Sequence, residues 1–170
     1  MLFEAAKLST LPITFGGGIK TLNQAMQAYS IGASRVYINS ALARNHNLAI
    51  EIALRCGRQS LSGGIEYRSD GIIENECFAE SGREPLGITV NERINFESKF
   101  VGEFILSSIT HDGTMQGPDL DIVEAIDVKD IPLLICGGID INRDQKSLSQ
   151  KSKEKNNFSG FVSSSSFLID

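Results

Sequence analysis

Two glycine-rich stretches hold the residues most suited to chemistry. Pro12-Ile-Thr-Phe-Gly-Gly-Gly-Ile-Lys20 is a short apolar, β-prone run that ends in three glycines and enters a helix-like pattern. Pro132-Leu-Leu-Ile-Cys-Gly-Gly-Ile139 repeats it at an offset of 120 residues: Gly17 and Gly18 map to Gly137 and Gly138, and Ile19 maps to Ile139. Glycines leave backbone N–H groups bare, so the chain can wrap closely around an oxyanion. A helix that starts there presents its N-terminus to the same spot. The repeat suggests two related halves, each with an anion-binding loop.

Other polar residues fall beside these loops. Asn39 and Ser40 end the strand after the first one, so an amide and a hydroxyl stand near Gly18. The competing reading is that the glycines only make a tight turn. The second candidate site is Asp112-Gly113-Thr114 with Gly137-Gly138 and Ser164-Ser165; the serine run by itself also reads as a polar tail. Two anion nests at pseudo-symmetric positions point to a ligand with a phosphate at each end. Glu66, at the end of the third β element, is either a general acid or base between them or a solvated loop carboxylate. His111 can titrate near neutrality, but a lone histidine in a polar loop is more often simply exposed; His46 reads as surface. Arg35 and Glu103 open two strands at the end opposite the glycines. They are either a pair across the barrel floor or two unconnected charges.

Composition narrows the classes. A chain of 170 residues, 41% hydrophobic, has room for one ordinary domain with a core. A net charge of −5 argues mildly against a nucleic-acid surface, though a local nest of N–H groups still takes an anion. No apolar run approaches 18 residues, and the N-terminus lacks a secretory pattern. Three cysteines, Cys56, Cys77 and Cys136, without CxxC spacing, suggest reduced thiols in a cytoplasmic protein, with no metal site and no disulfide frame. No cofactor is expected.

The elements that must position these residues alternate. Strands start near 12, 35, 60, 103, 132 and 160, at a period of about 23 to 29 residues once an insertion is set aside. Residues 2–10 read as the end of a helix. Thr21 reads as the N-cap of a helix to about Ser30, and a second helix is expected from about Ala43 to Arg55. Turn chemistry at Ser69-Asp70-Gly71 and Glu80-Ser81-Gly82 predicts a β-hairpin between strand 60–67 and a helix from about Thr89 to Phe100. Strand Glu103–Ile109 reads as buried, and a short helix is expected from Asp119 to about Ile126. Residues 140–157 stand where a helix belongs but hold only Ile141 and Leu148 as apolar residues, so that helix is expected to pack badly. Strand Gly160–Ser165 closes the chain. Repeated βα units predict an α/β fold, a (βα)8 barrel or an open parallel sheet, with function at the strand C-terminal ends. Six units in 170 residues are too few to close a barrel that takes ~250.

The residues are specific enough for a resemblance. Pro12–Thr21, Gly32-Ala33, Val36-Tyr-Ile-Asn-Ser-Ala41, Gly102–Ile109 with Asp112-Gly-Thr-Met-Gln-Gly117, Ile131-Pro132 and Gly137-Gly138 closely resemble the cyclase subunit of imidazole glycerol phosphate synthase. The resemblance runs from that family's third strand to its eighth. It implies an incomplete TIM (βα)8 barrel, about six βα units with a β-hairpin insertion, in a single partial domain over 1–170. It implies a lyase that uses ammonia from a glutaminase partner. The bisphosphorylated formimino carboxamide ribotide becomes imidazole glycerol phosphate, in histidine biosynthesis.

Residue by residue, the resemblance places one phosphate at Gly18, Asn39 and Ser40. It places the other at Asp112, Gly113, Gly138, Ser164 and Ser165. One of the family's two catalytic aspartates falls on Glu66, one methylene longer, and two members of the ammonia gate fall on Arg35 and Glu103. The other catalytic aspartate belongs to the family's first strand, and the family's Asp-Arg-Asp-Gly loop reads Thr110-His111-Asp112-Gly113 here. Without strands one and two, the edges of 12–16 and 160–165 would be unpaired, an aggregation hazard for the isolated chain. Two further readings stand beside this one: a paralogue that works with a glutaminase in amidination of a surface-polysaccharide sugar, and an inactive remnant or sugar-phosphate-binding module.

Overall fold

A computed structural model describes residues 11–128, 130–154 and 158–162. Among these the chain forms two compact units, divided between Gly64 and Ile65, with Glu97–Glu103 returning to the first. The helix expected over 2–10 lies outside the described residues.

The first unit holds β1 (Thr14–Gly16), β2 (Arg35–Ile38) and the start of β3 (Leu61–Arg68). They are parallel: Thr14 lies opposite Arg35, and Val36 opposite Leu61. Parallel neighbours need a crossover, and helices supply it. Helix α1 (Leu22–Ser30) buries Ala25 and Ala28. The helix expected from Ala43 to Arg55 is two helices, α2 (Ser40–Arg44) and α3 (Asn47–Cys56). Asn45 is extended between them (φ −157°, ψ 116°). Its side-chain oxygen accepts the Asn47 N–H at 2.9 Å. That local bond competes with the helical ladder and breaks it there. Val36 and Ile38 are buried on one face of β2, with Leu42, Ala49, Ile52 and Leu61 also in this core.

The second unit holds the rest of β3, then β6 (Glu103–Ser108) from Phe104 onward, β7 (Leu133–Cys136) and β8 (Phe158–Val162). Strands β6, β7 and β8 are parallel, with Phe104 opposite Leu133 and Leu133 opposite Phe158. Phe104, Leu106 and Ser108 are buried on one face of β6, and the intervening residues are half-buried, as expected of a strand covered on both faces. The predicted hairpin is present as β4 (Glu76–Ala79) and β5 (Glu84–Thr89), antiparallel to each other, with β4 antiparallel to β3. Helix α4 (Val90–Glu97) starts on a cap in which Glu92 accepts the Thr89 N–H at 2.8 Å. Helix α5 spans Asp121–Ala125 and helix α6 spans Ile141–Glu154. Helix α6 forms despite its thin apolar face: Leu148 is buried, one turn after a buried Asp144 that anchors the first turn.

Candidate functional site

The 120-residue repeat holds in the backbone conformation of its glycines. Gly17 and Gly18 have φ of 109° and 76°; Gly137 and Gly138 have 110° and 70°. A non-glycine residue at such angles is strained, so the turn itself requires glycine in both copies. The repeat continues into the helices. Gln24 Oε1 accepts the Lys20 N–H at 2.8 Å. Asp144 Oδ2 accepts the Asp140 N–H at 2.9 Å, at the matching positions.

In the first unit the loop borders a cavity of about 170 Å³ lined by Gly17, Gly18, Lys20, Tyr37, Asn39 and Ser40, among others. Gly18, Asn39 and Ser40, assigned together from sequence, do meet there. Among the described residues, no heavy atom beyond the chain neighbours lies within 4 Å of a Cβ built on Gly17 or Gly18, so the loop faces open space there. The helix that follows offers less to an anion than its sequence promised. A capping box commits the amides of Thr21 and Gln24, and Gln24 also takes that of Lys20. The polar residues that remain around the cavity are Asn39, Ser40 and Lys20, beside the glycine backbone. Lys20 and Tyr37 were not singled out in the sequence. Lys20 directly follows the glycines, which is the signal that could have found it.

At the start of the strands, Arg35 and Glu103 are joined. Arg35 Nε lies 3.6 Å from Glu103 Oε2, and the buried Ser62 hydroxyl donates to Glu103 Oε1. The reading of two unconnected charges is therefore excluded.

In the second unit Glu66 shares a cavity of about 220 Å³ with Ser81, Ser107, Asp112, Cys136 and Gly137, among others. Its carboxylate is not simply solvated: Oε2 accepts the Gly82 N–H at 3.0 Å from the hairpin turn. The turn residues Glu80, Ser81 and Gly82 all have positive φ (52°, 58° and 77°), which aims that amide at Glu66. The hairpin insertion thus supplies a wall of the cavity, a role its sequence did not reveal. The Asp112 N–H is committed to the Ser108 carbonyl at 3.0 Å, so Gly113 and Gly138 are the amides that remain candidates for an anion. Gly138 is held tightly: a Cβ on it would run into the Gly117 carbonyl, whose own amide donates to Gly138 O at 2.9 Å. Burial, and then the charge of Asp112, push the Cys136 thiol up, so it stays protonated near neutrality. Ser164 and Ser165 lie outside the described residues.

His111 is not merely exposed. Its Nδ1 lies 2.9 Å from the buried Ser108 hydroxyl, and it lines a separate cavity of about 400 Å³ with Glu74, Asp119 and Asp121 among its neighbours. Tyr67 donates to Asp119 Oδ2 at 3.1 Å. Burial, and then Asp119, push the Tyr67 phenol far above its ordinary value.

Residues 1–168 match the histidine biosynthesis protein family. The chain belongs to that family. Its fold is the (βα)8 barrel, of which the parallel strands, crossover helices and inserted hairpin described above form an incomplete copy. The imidazole glycerol phosphate synthase subunit HisF of Dictyoglomus thermophilum is 33% identical over 137 residues, 79% of this chain and 54% of that protein. The subunit of the same name from Legionella pneumophila is 36% identical over 131 residues, 76% of this chain and 62% of that protein. A putative one from Leptospira interrogans is 30% identical over 143 residues, 82% and 56%. The chain therefore spans a little over half the length of these curated relatives. Among the described residues, no helix is long and apolar enough to cross a membrane.

Proposed function

We propose that this chain carries cyclase chemistry of the imidazole glycerol phosphate synthase type, with Glu66 as a proton-transferring carboxylate. The observation that carries the reading is the placement of Glu66. It lines a cavity at the C-terminal end of its strand, beside Asp112 and the second glycine loop, with its carboxylate held by the Gly82 amide. An acid at that place moves protons between reacting groups, which is worth on the order of 100- to 10,000-fold in rate. Its extra methylene matters because a ~1 Å displacement of a catalytic group costs on the order of 100-fold. The Gly82 amide limits that displacement.

The substrate class follows from the two loops. A bisphosphorylated ribotide needs an anion site for each end, and each unit carries one candidate. One is Gly18, Asn39 and Ser40; the other is Asp112, Gly113 and Gly138 with Ser164 and Ser165. Lys20 adds a cation to the first. The Arg35–Glu103 pair, at the strand starts, suits a gate for ammonia delivered by a glutaminase subunit. In that reading the product chemistry is histidine biosynthesis in the cytoplasm, with no cofactor.

The test is growth of a histidine auxotroph that lacks its own cyclase subunit, with the glutaminase present. The 170-residue chain is expected to restore growth, and Glu66→Gln to abolish it at equal protein level. No growth from a chain shown to be folded in those cells overturns the reading.

A further inference from the structure

The loop after β6 holds one residue in a conformation that its side chain disfavours. Met115 has φ 53°, in the left-handed region where an L side chain crowds its own backbone. Such a residue persists only where its surroundings hold it. A hold comes from α6: Arg143 Nη1 donates to the Met115 carbonyl at 2.7 Å. Arg143 is itself fixed. Its Nε donates to Asp144 Oδ1 at 2.7 Å, and its Nη2 donates to Asp144 Oδ2 at 2.9 Å. This two-point pairing sets the plane of the guanidinium and leaves Nη1 aimed at the loop. Asp144 is buried and accepts the Asp140 N–H, so the anchor belongs to the first turn of the helix.

The loop that Arg143 grips is the one that carries Asp112 and Gly113. At its start the Asp112 N–H donates to Ser108 O. In its middle the Thr114 amide and hydroxyl both donate to His111 O, and Thr114 Oγ1 accepts the Gln116 N–H. At its end the Gly117 N–H donates to Gly138 O at 2.9 Å, on the second glycine loop. Arg143 runs alongside that end: its Nη2 lies 3.7 Å from the place of a Cβ on Gly117. Met115 thus stands between two fixed points, Thr114 and Gly117, with Arg143 on its carbonyl. In the first copy of the repeat the position of Arg143 is taken by Asn23, which has no guanidinium fork, and Gln24 replaces Asp144.

We propose that Arg143 is a positioning residue for the second anion site: anchored on Asp144, it holds the carbonyl of strained Met115 and so fixes the Asp112–Gly117 loop against Gly138. This deepens the anion-site reading of Gly113 and Gly138 and rests on it. Release of the Met115 carbonyl lets its φ return to an ordinary value. The shift reaches the Gly117–Gly138 bond two residues on and Gly113 two residues back. Asp112, which shares the cavity of Glu66, belongs to the same segment. Lysine does not replace arginine in this role. Its compact ammonium keeps the charge but lacks the planar fork that meets Asp144 and Met115 together.

The test uses the full chain, ¹⁵N-labelled, as Arg143→Met and Arg143→Lys. The Arg143 side chain is 48% exposed, so both variants are read on a folded chain, checked by urea midpoint. Without ligand, Arg143→Met is expected to speed hydrogen exchange of the Gly117 amide about fivefold, the worth of one ordinary hydrogen bond, and to leave the Ala25 amide of α1 unchanged. Each sample is then titrated with inorganic phosphate while the Gly113 and Gly138 amides are followed. Arg143→Met is expected to weaken that response about fivefold. Arg143→Lys is expected to recover less than half of the loss, and the Gly18 amide to be indifferent to both variants. A Gly117 exchange rate or a phosphate response that Arg143→Met leaves unchanged overturns the positioning role alone. Full recovery with Arg143→Lys also overturns it, by assigning the effect to charge. No response at Gly113 or Gly138 in the unsubstituted chain overturns the anion reading and the positioning role together.

Discussion

The two glycine loops share a backbone and differ in what surrounds it. Their φ angles agree within a few degrees, and both following helices are capped from the same position, by Gln24 in one and Asp144 in the other. The first loop faces open space beside Lys20. The second is packed against the segment from Ser108 to Gly117, and the position of Lys20 is taken by Asp140. Conformation has been kept while surroundings have diverged. Glycine in the first loop answers a requirement for positive φ alone; in the second it answers that and a lack of room. The first has a lysine where the second has an aspartate, and both of its glycines line a cavity.

The largest expected effect tests the difference in room. Gly138→Ala combines a strained φ with a collision against the Gly117 carbonyl and is expected to destabilise the chain by about 3 kcal/mol or more, read as a loss in urea midpoint. Gly18→Ala meets no neighbour and is expected to cost about 1 kcal/mol from φ alone. Equal losses at the two positions would erase the distinction.

The next effect tests the caps. Gln24→Ala and Asp144→Ala are each expected to cost about 1 kcal/mol, by loss of a first-turn acceptor. Only the second depends on pH. The Arg143 guanidinium, bonded to Asp144, holds that carboxyl below the usual carboxylate range. A depressed folded-state value stabilises the chain above the unfolded-state value, near pH 4, and the contribution disappears as pH falls through the folded one. The gap between the unsubstituted chain and Asp144→Ala should therefore narrow in acid, while the Gln24→Ala gap stays constant. A constant Asp144 gap in urea melts across that range would contradict the assignment.

The smallest effect tests the charge. Lys20→Met is expected to weaken phosphate binding at the first loop two- to threefold, and less at high salt, because the ammonium is exposed. Calorimetric titration at two salt concentrations measures it.

Much of the fold was readable in advance because its signals are local. Thr21 with Gln24 announces a cap, Ser69–Gly71 and Glu80–Gly82 announce turns, and the apolar runs 35–38, 61–67, 103–108 and 133–136 announce strands. The division into α2 and α3 was missed because Ala43–Arg55 has continuous helix propensity, and one side-chain bond from Asn45 overrides it. Candidate site residues at strand ends were legible because parallel βα units place function there. Ser81 and the Gly82 amide were not, since a hairpin's residues reveal that it turns but not which strand end it reaches. The surroundings of His111 were hidden for the same reason: Ser108 is three residues away, but Glu74 and Asp119 reach its cavity from distant segments.

The sequence by itself determined the repeat, the βα alternation, the inserted hairpin and the glycine conformations, because each depends on residues a few positions apart and on the steric limits of φ. Tertiary structure decided which repeated loop is open and which is filled. It also decided that Arg35 meets Glu103, and that Glu66 receives an amide from the hairpin. Those outcomes depend on which distant segments pack together, and contact at 3 Å is a property of that packing.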